Sequence, residues 1–313
     1  MNQKNIISKL TLEEKIAMIH AAGLFRSGAV KRLNIPSLVM SDGPSGVRQE
    51  FENDSWTPID DTTDFVSWLP SNTCLCTTWN PNLARKFGEV LGDEARGRGK
   101  DVILAPGINI KRTPLCGRNF EYMSEDPHLT GRMAVTLVQG IQSQDVAACV
   151  KHFALNNQEK WRGHIDVDLS DRALYEIYLP AFKAAVQKGG AWSIMGAYNK
   201  IRGTHACHND LLLNRILKGE WQFDGCVITD WGGAHDTREA VFNGLDIEMG
   251  TYTDGVAKNR DFAYDNYYLA KDYLKGLKDG TYPVSTVDEK AARILRLIFR
   301  TAMNRNRPWG SFT

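Results

Sequence analysis

The strongest chemical signal in the chain is a carboxylate and an indole at the end of a strand-like segment. Residues 226–229 suit a buried strand, and Asp230, Trp231 and two glycines follow it directly. In a barrel of alternating strands and helices, the carboxyl ends of the strands carry the chemistry, so Asp230 is expected at the mouth of a site. A carboxylate beside a flat aromatic wall suits a sugar. The alternative is that Asp230 simply caps the helix that follows.

Further polar side chains follow other strand-like segments. Asp42 and Arg48 lie in a tight loop of two glycines and a proline after residues 38–40, so both can face a ligand. Lys151 and His152 follow the strand predicted at 147–150. Adjacent residues of a regular strand point to opposite faces, so joint binding of one ligand by this pair requires a break in the strand.

A loop of alternating arginines and acids leaves two interpretations open. Arg118 is followed by Glu121, Glu125 and Asp126. These acids either serve a ligand or form a structural ion-pair network with the arginines. A second polar loop, at residues 156–162, carries a further run of hydrogen-bond donors.

These loops require a scaffold of alternating strands and helices. Strands are predicted at residues 38–40, 102–105, 147–150, 192–199, 226–229 and 244–249. Helices are predicted at residues 11–20, 80–98, 129–143, 170–187, 210–218, 234–243, 261–278 and 286–303. The alternation favours a (β/α)8 TIM-type barrel, with allowance for an irregular or missing strand. A doubly wound open sheet is the alternative, although its nucleotide-binding glycine loops are absent from the sequence. Residues 49–68 are expected to form a long loop over the mouth.

Composition sets the class of protein. The chain has 313 residues, 42% apolar and 24% charged, with a net charge of +1, which suits one large globular domain and gives no sign of a nucleic-acid partner. No apolar run approaches the roughly 18 residues that span a membrane, and the first ten residues lack a secretory core, so we expect a cytoplasmic protein without a membrane partner.

The metal and cofactor signals are weak. Six cysteines lie in scattered positions, so buried free thiols are expected rather than disulfides. The motif His205-Ala-Cys207-His208 places three metal donors close together, but no second cluster completes a zinc site. We therefore expect a polar loop there, no metal and no cofactor.

Five sequence blocks, in order, resemble the signatures of the glycoside hydrolase family 3 β-glucosidases, and the resemblance runs from about residue 10 to the C-terminus. The blocks are residues 41–48 (SDGPSGVR), 117–127 (GRNFEYMSEDP), 151–159 (KHFALNNQE), 195–199 (MGAYN) and 227–231 (VITDW).

The resemblance implies a role for each matching position. Asp230 would be the nucleophile that forms a covalent glycosyl-enzyme, with Trp231 beside the sugar ring, and Asp42 would accept hydrogen bonds from outer sugar hydroxyls. Basic sugar-binding positions match Arg48, Arg118, Lys151, His152 and Arg162, and pocket-lining positions match Met195 and Tyr198. A carboxylate among so many cations is expected to have a low pKa.

The chain departs from the family pattern in its second carboxyl group. A retaining glycosidase needs an acid/base carboxyl about 5 Å from its nucleophile. In two-domain members that Glu lies in a second α/β domain, so we expect residues 1–303 to be the barrel domain and residues 304–313 a linker-like tail. The His-Asp dyad of another subgroup is not matched after Lys151, and His164 with Asp166 is a weak substitute.

The expected activity is hydrolysis of terminal β-D-glucosyl residues from a β-glucoside or oligosaccharide, weak or absent without the missing acid. Two alternatives stay open. One is a non-catalytic sugar-binding or scaffold barrel. The other is a chain that obtains its acid/base from a separate domain or protomer.

Overall fold

The computed structural model describes residues 3–49, 65–250 and 267–304. Most of the loop expected at 49–68 and of the tail expected at 304–313 lies outside the described residues, as does the start of the helix expected at 261–278. The strands are β1 Ala21–Gly23, β2 Arg26–Ser27, β3 Met40–Asp42, β4 Val102–Leu104, β5 Ala147–Phe153, β6 Asp166–Val167, β7 Ser193–Gly196, β8 Lys200–Ile201, β9 Thr204–His205 and β10 Cys226–Ile228.

The fold is α/β, and its centre is a parallel sheet of five strands in the order β10-β7-β5-β4-β3. Strands β4, β5, β7 and β10 are buried along their whole length, which is typical of a parallel sheet covered on both faces. The carboxyl ends of all five strands therefore meet at one edge, where the loops that follow them form the mouth.

Isolated bridges extend this sheet towards a ring. Ile228 at the end of β10 pairs with Ile247, and Glu248 pairs with His20 just before β1. Beside β3, Val39 pairs with Arg26 of the β1–β2 hairpin. The result is a TIM-barrel-like arrangement in which the strand predicted at 244–249 contributes single bridges, in agreement with the expected irregular strand.

Helices cover the outer face of the sheet. The α-helices are α1 Gln3–Ile7, α2 Leu12–Met18, α3 Asn72–Thr77, α4 Pro81–Gly97, α5 Pro127–Gln142, α6 Asp171–Ala173, α7 Pro180–Gln187, α8 Thr237–Phe242, α9 Lys271–Asp279 and α10 Val284–Arg300. In the part of the chain that the structure describes, two π-helices span Leu174–Tyr178 and Leu211–Glu220, and short 3-10 turns span Lys31–Leu33 and Ala206–His208. No helix among the described residues is long and apolar enough to cross a membrane.

Local signals placed several helix starts correctly. Thr11 and Glu14 form the predicted capping box of α2, and Asn80 caps α4 with Pro81 in its first turn. The helix predicted at 170–187 is divided instead, because a π-helical turn precedes Pro180, which has no N–H to continue the hydrogen-bond ladder.

Helices α4 and α5 cross where Gly88 of α4 and Gly140 of α5 lie close together. A Cβ atom built on Gly140 would lie 2.2 Å from the Arg85 carbonyl oxygen and 3.0 Å from the Glu89 nitrogen. Only a residue without a side chain allows the two backbones to approach this closely. The crossing holds both helices against the sheet on the side that bears β4 and β5.

Candidate active site

Asp230 lies just beyond β10, with 8% of its surface exposed. Its backbone N–H donates to the Gly196 carbonyl at 3.3 Å, which ties it to the end of β7. Oδ1 accepts from the Trp231 N–H at 2.8 Å, whereas Oδ2 has no hydrogen-bond partner among the described residues. The next helix, α8, is capped by Asp236, so the interpretation of Asp230 as a helix cap is wrong. The carboxylate instead keeps one buried oxygen, Oδ2, without a hydrogen-bond partner among the described residues.

The charge of Asp230 is set by two opposing effects. Burial raises the pKa of Asp230, and the positive charges of Arg118 and Lys151, with the Trp231 N–H, oppose that rise only in part. The expected low pKa of Asp230 is therefore wrong. The sequence identified the cations, but the cost of desolvating the carboxylate depends on the depth at which the fold buries it.

Lys151 and Asp42 form an ion pair across the mouth. The Lys151 ammonium lies 2.6 Å from Asp42 Oδ1, which also accepts from the Gly43 N–H at 3.0 Å. Desolvation alone would raise the pKa of Asp42, but Lys151 outweighs it and the pKa is lowered. Burial alone would lower the pKa of Lys151, but Asp42 outweighs it and the pKa is raised. Both groups are thus charged, and the Asp42 side chain remains 40% exposed for a ligand.

His152 reaches the same site from the neighbouring position of β5. The pairing of β5 with β7 shifts register between Val150 and Phe153. The strand therefore has the break that joint use of Lys151 and His152 requires. The His152 Nε2 atom lies 3.6 Å from Asp230 Oδ2. Burial, together with the nearby cations, lowers the pKa of His152 well below 6.5, so the ring is neutral.

Arg118 lies in the loop after β4 and pairs with Glu121. Its Nε donates to Glu121 Oε1, and the Glu121 side chain is 4% exposed. Asp126 accepts from the first N–H groups of α5 as its cap. Glu121 therefore forms the expected ion pair with an arginine, whereas Asp126 acts as a helix cap, and Arg118 still acts electrostatically on Asp230.

Arg162 and Tyr198 pack together beside the loop of Asp230. The Arg162 guanidinium carbon lies 4.4 Å from the centre of the Tyr198 ring, and Nη1 is 2.7 Å from Glu159 Oε2. The Tyr198 hydroxyl donates to the Trp231 carbonyl at 3.0 Å. This chain of contacts fixes the backbone next to Asp230.

Trp231 is mainly a packing residue in this structure. It is 5% exposed, its Nε1–H donates to the Leu24 carbonyl at 2.7 Å, and its ring centre lies 5.2 Å from that of Phe25. The Arg48 guanidinium lies 5.0 Å from the Phe25 ring centre. Phe25 thus links Arg48 to Trp231, a role that the sequence pattern did not reveal. Met195 of β7 is 1% exposed and pairs with Ile228 of β10.

A cavity of about 420 Å³ opens from Asp42 towards the surface. That volume lies within the usual range for small-molecule sites. Its walls include both charged and aromatic side chains: Asp42, Arg48, Trp68, Arg118, Phe120 and Glu121. Trp68 and Phe120 are 88% and 61% exposed at its rim.

Residues behind the pocket wall support His152 and were missed from the sequence. The Asn109 side chain brackets the His152 backbone, accepting from its N–H at 2.8 Å and donating to its carbonyl at 2.9 Å. The Tyr122 hydroxyl lies 3.2 Å from His152 Nδ1 and 3.2 Å from Asn156 Nδ2. Tyr122 and Asn156 stand inside two of the signature blocks, and that position was the one available signal.

The histidine motif forms no metal centre. Among residues 3–49, 65–250 and 267–304, no grouping of His, Cys, Asp and Glu suits a metal ion. His205 instead stacks on His235 with ring centres 3.8 Å apart, and buried Cys207 is a free thiol. The six cysteines are all free, and Cys74 alone of them is exposed.

The weak dyad candidate also has other partners. Asp166 Oδ2 accepts from the Gly203 N–H at 2.9 Å, and the His164 ring lies 6.0 Å from that of Trp161. These contacts account for both residues structurally.

The arrangement of Asp230 among basic side chains can be compared with known proteins. Residues 6–297 match the model described as the glycosyl hydrolase family 3 N terminal domain. The chain belongs to this family. It is 61% identical to "Beta-glucosidase BoGH3A" of Bacteroides ovatus over 99% of this chain, which corresponds to 42% of that relative. It is 43% identical to an "Exo-alpha-(1->6)-L-arabinopyranosidase" of Bifidobacterium longum over 79% of this chain and 33% of that relative.

The fold agrees with a solved family 3 structure. Beta-glucosidase 3B from Thermotoga neapolitana, in complex with alpha-D-glucose, superposes with a TM-score of 0.88 at 36% identity. The match covers 98% of this chain and 44% of that structure. The chain thus spans less than half the length of these relatives.

Proposed function

We propose that this chain is the barrel-like catalytic unit of a retaining β-glucosidase, with residues 1–303 as the unit and residues 304–313 as a linker. It removes terminal β-D-glucosyl residues through a covalent intermediate on Asp230. The observation that carries this proposal is the free Oδ2 of Asp230, buried at the mouth beside neutral His152 and in the field of Arg118 and Lys151.

The reaction has two balanced steps. Asp230 Oδ2 attacks the anomeric carbon, and the bond from that carbon to the leaving oxygen breaks, with its electron pair passing to the oxygen as an acid protonates it. Water then attacks the anomeric carbon and gives a proton to the conjugate base of the acid used in the first step. The bond between the anomeric carbon and Asp230 breaks, and its electron pair returns to the carboxylate. The Arg118 and Lys151 charges help to keep Asp230 ionised for the attack.

In this proposal the charged side chains around Asp42 and Asp230 recognise the sugar. Asp42, held charged by Lys151, accepts hydrogen bonds from outer hydroxyls, while Arg48, Arg118 and Arg162 donate to the sugar. The exposed aromatic rim of Trp68 and Phe120 lies next to the leaving-group side in this proposal. The acid/base Glu comes from a second α/β domain or a neighbouring protomer, in keeping with the greater length of the relatives.

The test is covalent trapping with a 2-deoxy-2-fluoro-glucosyl donor that carries an activated leaving group. Such a leaving group needs little protonation, so the chain is expected to gain one fluoroglucosyl mass even without its acid. Peptide mapping should place the adduct on Asp230. Asp230→Asn should abolish it, whereas Asp236→Asn, a matched change in the same loop that retains a good helix cap, should leave labelling unchanged.

Absence of any adduct, with glucose binding intact by calorimetry, would favour the alternative of a non-catalytic sugar-binding barrel. The arabinopyranosidase relative motivates a second comparison, between aryl β-glucoside and aryl α-L-arabinopyranoside. The pentoside lacks the hydroxymethyl group of glucose. Preference for the glucoside, lost in Asp42→Ala, would support recognition of outer hydroxyls by Asp42.

A further inference from the structure

The hydroxyl of Tyr122 lies at a junction between His152 and the loop that carries Asn156. Tyr122 is fully buried, at 0% exposure. Its Oη is 3.2 Å from His152 Nδ1, 3.2 Å from the Asn156 side-chain nitrogen and 3.3 Å from the Asn156 carbonyl. The Asn156 amide donates to Oη, so the single hydroxyl proton must go either to His152 Nδ1 or to the Asn156 carbonyl.

These two hydrogen-bond arrangements place the single ring proton of His152 on different nitrogens. If the hydroxyl donates to Nδ1, the one proton of the neutral ring sits on Nε2 and points towards Asp230 Oδ2 at 3.6 Å. If the hydroxyl donates to the Asn156 carbonyl, Nδ1 carries the proton and the Nε2 lone pair faces a carboxylate oxygen. The second arrangement is repulsive while Asp230 is ionised, so the first is favoured.

We propose that Tyr122 is a positioning residue that holds His152 in its Nε2–H tautomer and directs that N–H at the free oxygen of Asp230. The oxygen concerned is buried and has no other hydrogen-bond partner among the described residues. A neutral N–H donor stabilises the carboxylate without forming a tight ion pair that would block its attack. The inference deepens the proposed function and rests on it for its catalytic meaning, but the tautomer is a property of the protein alone.

The first test is the nitrogen NMR spectrum of the chain labelled with 15N-histidine. The resonances of His152 are assigned by their loss in His152→Gln. The expected pattern is that of a neutral ring protonated on Nε2 throughout the neutral pH range. A ring protonated on Nδ1, or on both nitrogens, would overturn the inference whether or not the chain is active.

The second test compares Tyr122→Phe with Tyr273→Phe. Tyr273 is equally buried, and its hydroxyl lies 2.6 Å from Thr286 Oγ1, far along the chain from the site residues, so it controls for loss of a buried hydroxyl. Tyr122→Phe removes the hydroxyl that lies at Nδ1, and the Nε2–H fraction should fall. The acidic limb of the rate of fluoroglucosyl labelling should move to higher pH by about one unit, because the carboxylate loses a donor.

The outcomes separate the two proposals. Slower labelling without a shift of the acidic limb, or an unchanged His152 spectrum in Tyr122→Phe, means that Tyr122 is only structural and overturns the inference. A Tyr273→Phe limb that shifts equally does the same. If the unaltered chain is never labelled, the proposed function fails, while the His152 spectrum still decides the tautomer.

Discussion

His152 Nε2 lies 3.6 Å from Asp230 Oδ2, and the two residues come from the ends of different strands of one parallel sheet. The histidine is neutral because burial and neighbouring cations lower its pKa. The nucleophile candidate therefore faces a neutral donor at close range and takes its positive potential from Arg118 and Lys151. Oδ2 has no hydrogen-bond partner among the described residues, as the proposed nucleophilic attack requires.

The Lys151–Asp42 ion pair should support the proposed sugar-binding site electrostatically. Lys151→Met leaves Asp42 without its cation, and since the lysine side chain is only 3% exposed, we expect a loss of about 2 kcal/mol in unfolding free energy. Glucose affinity should fall at least tenfold. Denaturant unfolding and calorimetry measure the two effects.

The exposed pair Arg172–Glu176 provides the control. Its side chains are 83% and 59% exposed, so Arg172→Met should change stability by less than about 0.5 kcal/mol. Equal losses in the two variants would contradict a special role for the buried pair.

The charge of Arg118 should help to determine the pH below which the rate of fluoroglucosyl labelling of Asp230 falls. Its charge lowers the pKa of Asp230, so Arg118→Met should raise that pKa and move the acidic limb to higher pH by about one unit. Arg118→Lys keeps a positive charge and should shift the limb less, although the planar contact with Glu121 is lost. Rates of fluoroglucosyl labelling between pH 4 and 7 provide the measurement. If the acidic limb of the labelling rate stays at the same pH in both variants, Arg118 acts only through packing.

The cluster of His205, His208 and His235 should make the unfolding free energy depend on pH. His208 Nε2 accepts from the His235 N–H at 3.1 Å, so its proton is on Nδ1, which lies 2.7 Å from Glu239 Oε2. Burial and neighbouring His205 lower the pKa of both His208 and His235 to about 4, from 6.5. The folded state thus binds these protons less readily than the unfolded state. Its stability is fully present above pH 6.5 and declines as the pH falls towards 4.

The unfolding free energy measured from pH 7.5 to 4 tests this decline. His208→Gln, with Lys200 and Asp236 left in place around the cluster, should flatten the slope. His128→Gln, at an exposed position on α5, should leave the slope unchanged. A decline of the same steepness in His208→Gln would assign the acid sensitivity to other groups.

The crossing of α4 and α5 should tolerate no side chain at Gly140. Its Cβ would lie 2.2 Å from the Arg85 carbonyl oxygen, so Gly140→Ala should cost about 2 kcal/mol by forcing the helices apart. Gly163→Ala, where a Cβ meets nothing within 4 Å, should fall within about 0.5 kcal/mol of the parent chain. Thermal and denaturant unfolding measure both. Stabilisation in Gly140→Ala would mean that helix propensity outweighs the close approach.

Much of the scaffold was predictable because its signals are local. Thr11 with Glu14, and Asn80 with Pro81, mark helix starts by hydrogen bonds within one turn. The strand at 102–104 is apolar throughout because both of its faces are covered. The strand predicted at 244–249 was harder to place, because it joins the sheet through bridges at Ile247 and Glu248, and long-range pairing decides its extent.

The sequence by itself determined the family, through five ordered blocks, and with it the position of Asp230 at the end of a strand. It also identified Arg118, Lys151 and Arg162, whose charges act on that carboxylate. Only the tertiary structure decided how these groups meet. Lys151 pairs with Asp42 across 109 residues, and Trp231 packs against Leu24 and Phe25 with little surface left for a ligand.

The raised pKa of Asp230 was likewise settled by the fold. Residue types state which charges exist, but distances and burial arise when the strand ends converge. Desolvation of a carboxylate depends on that convergence, because it measures how much water the surrounding chain removes. The same convergence places the Tyr122 hydroxyl against His152, a contact between residues 30 positions apart.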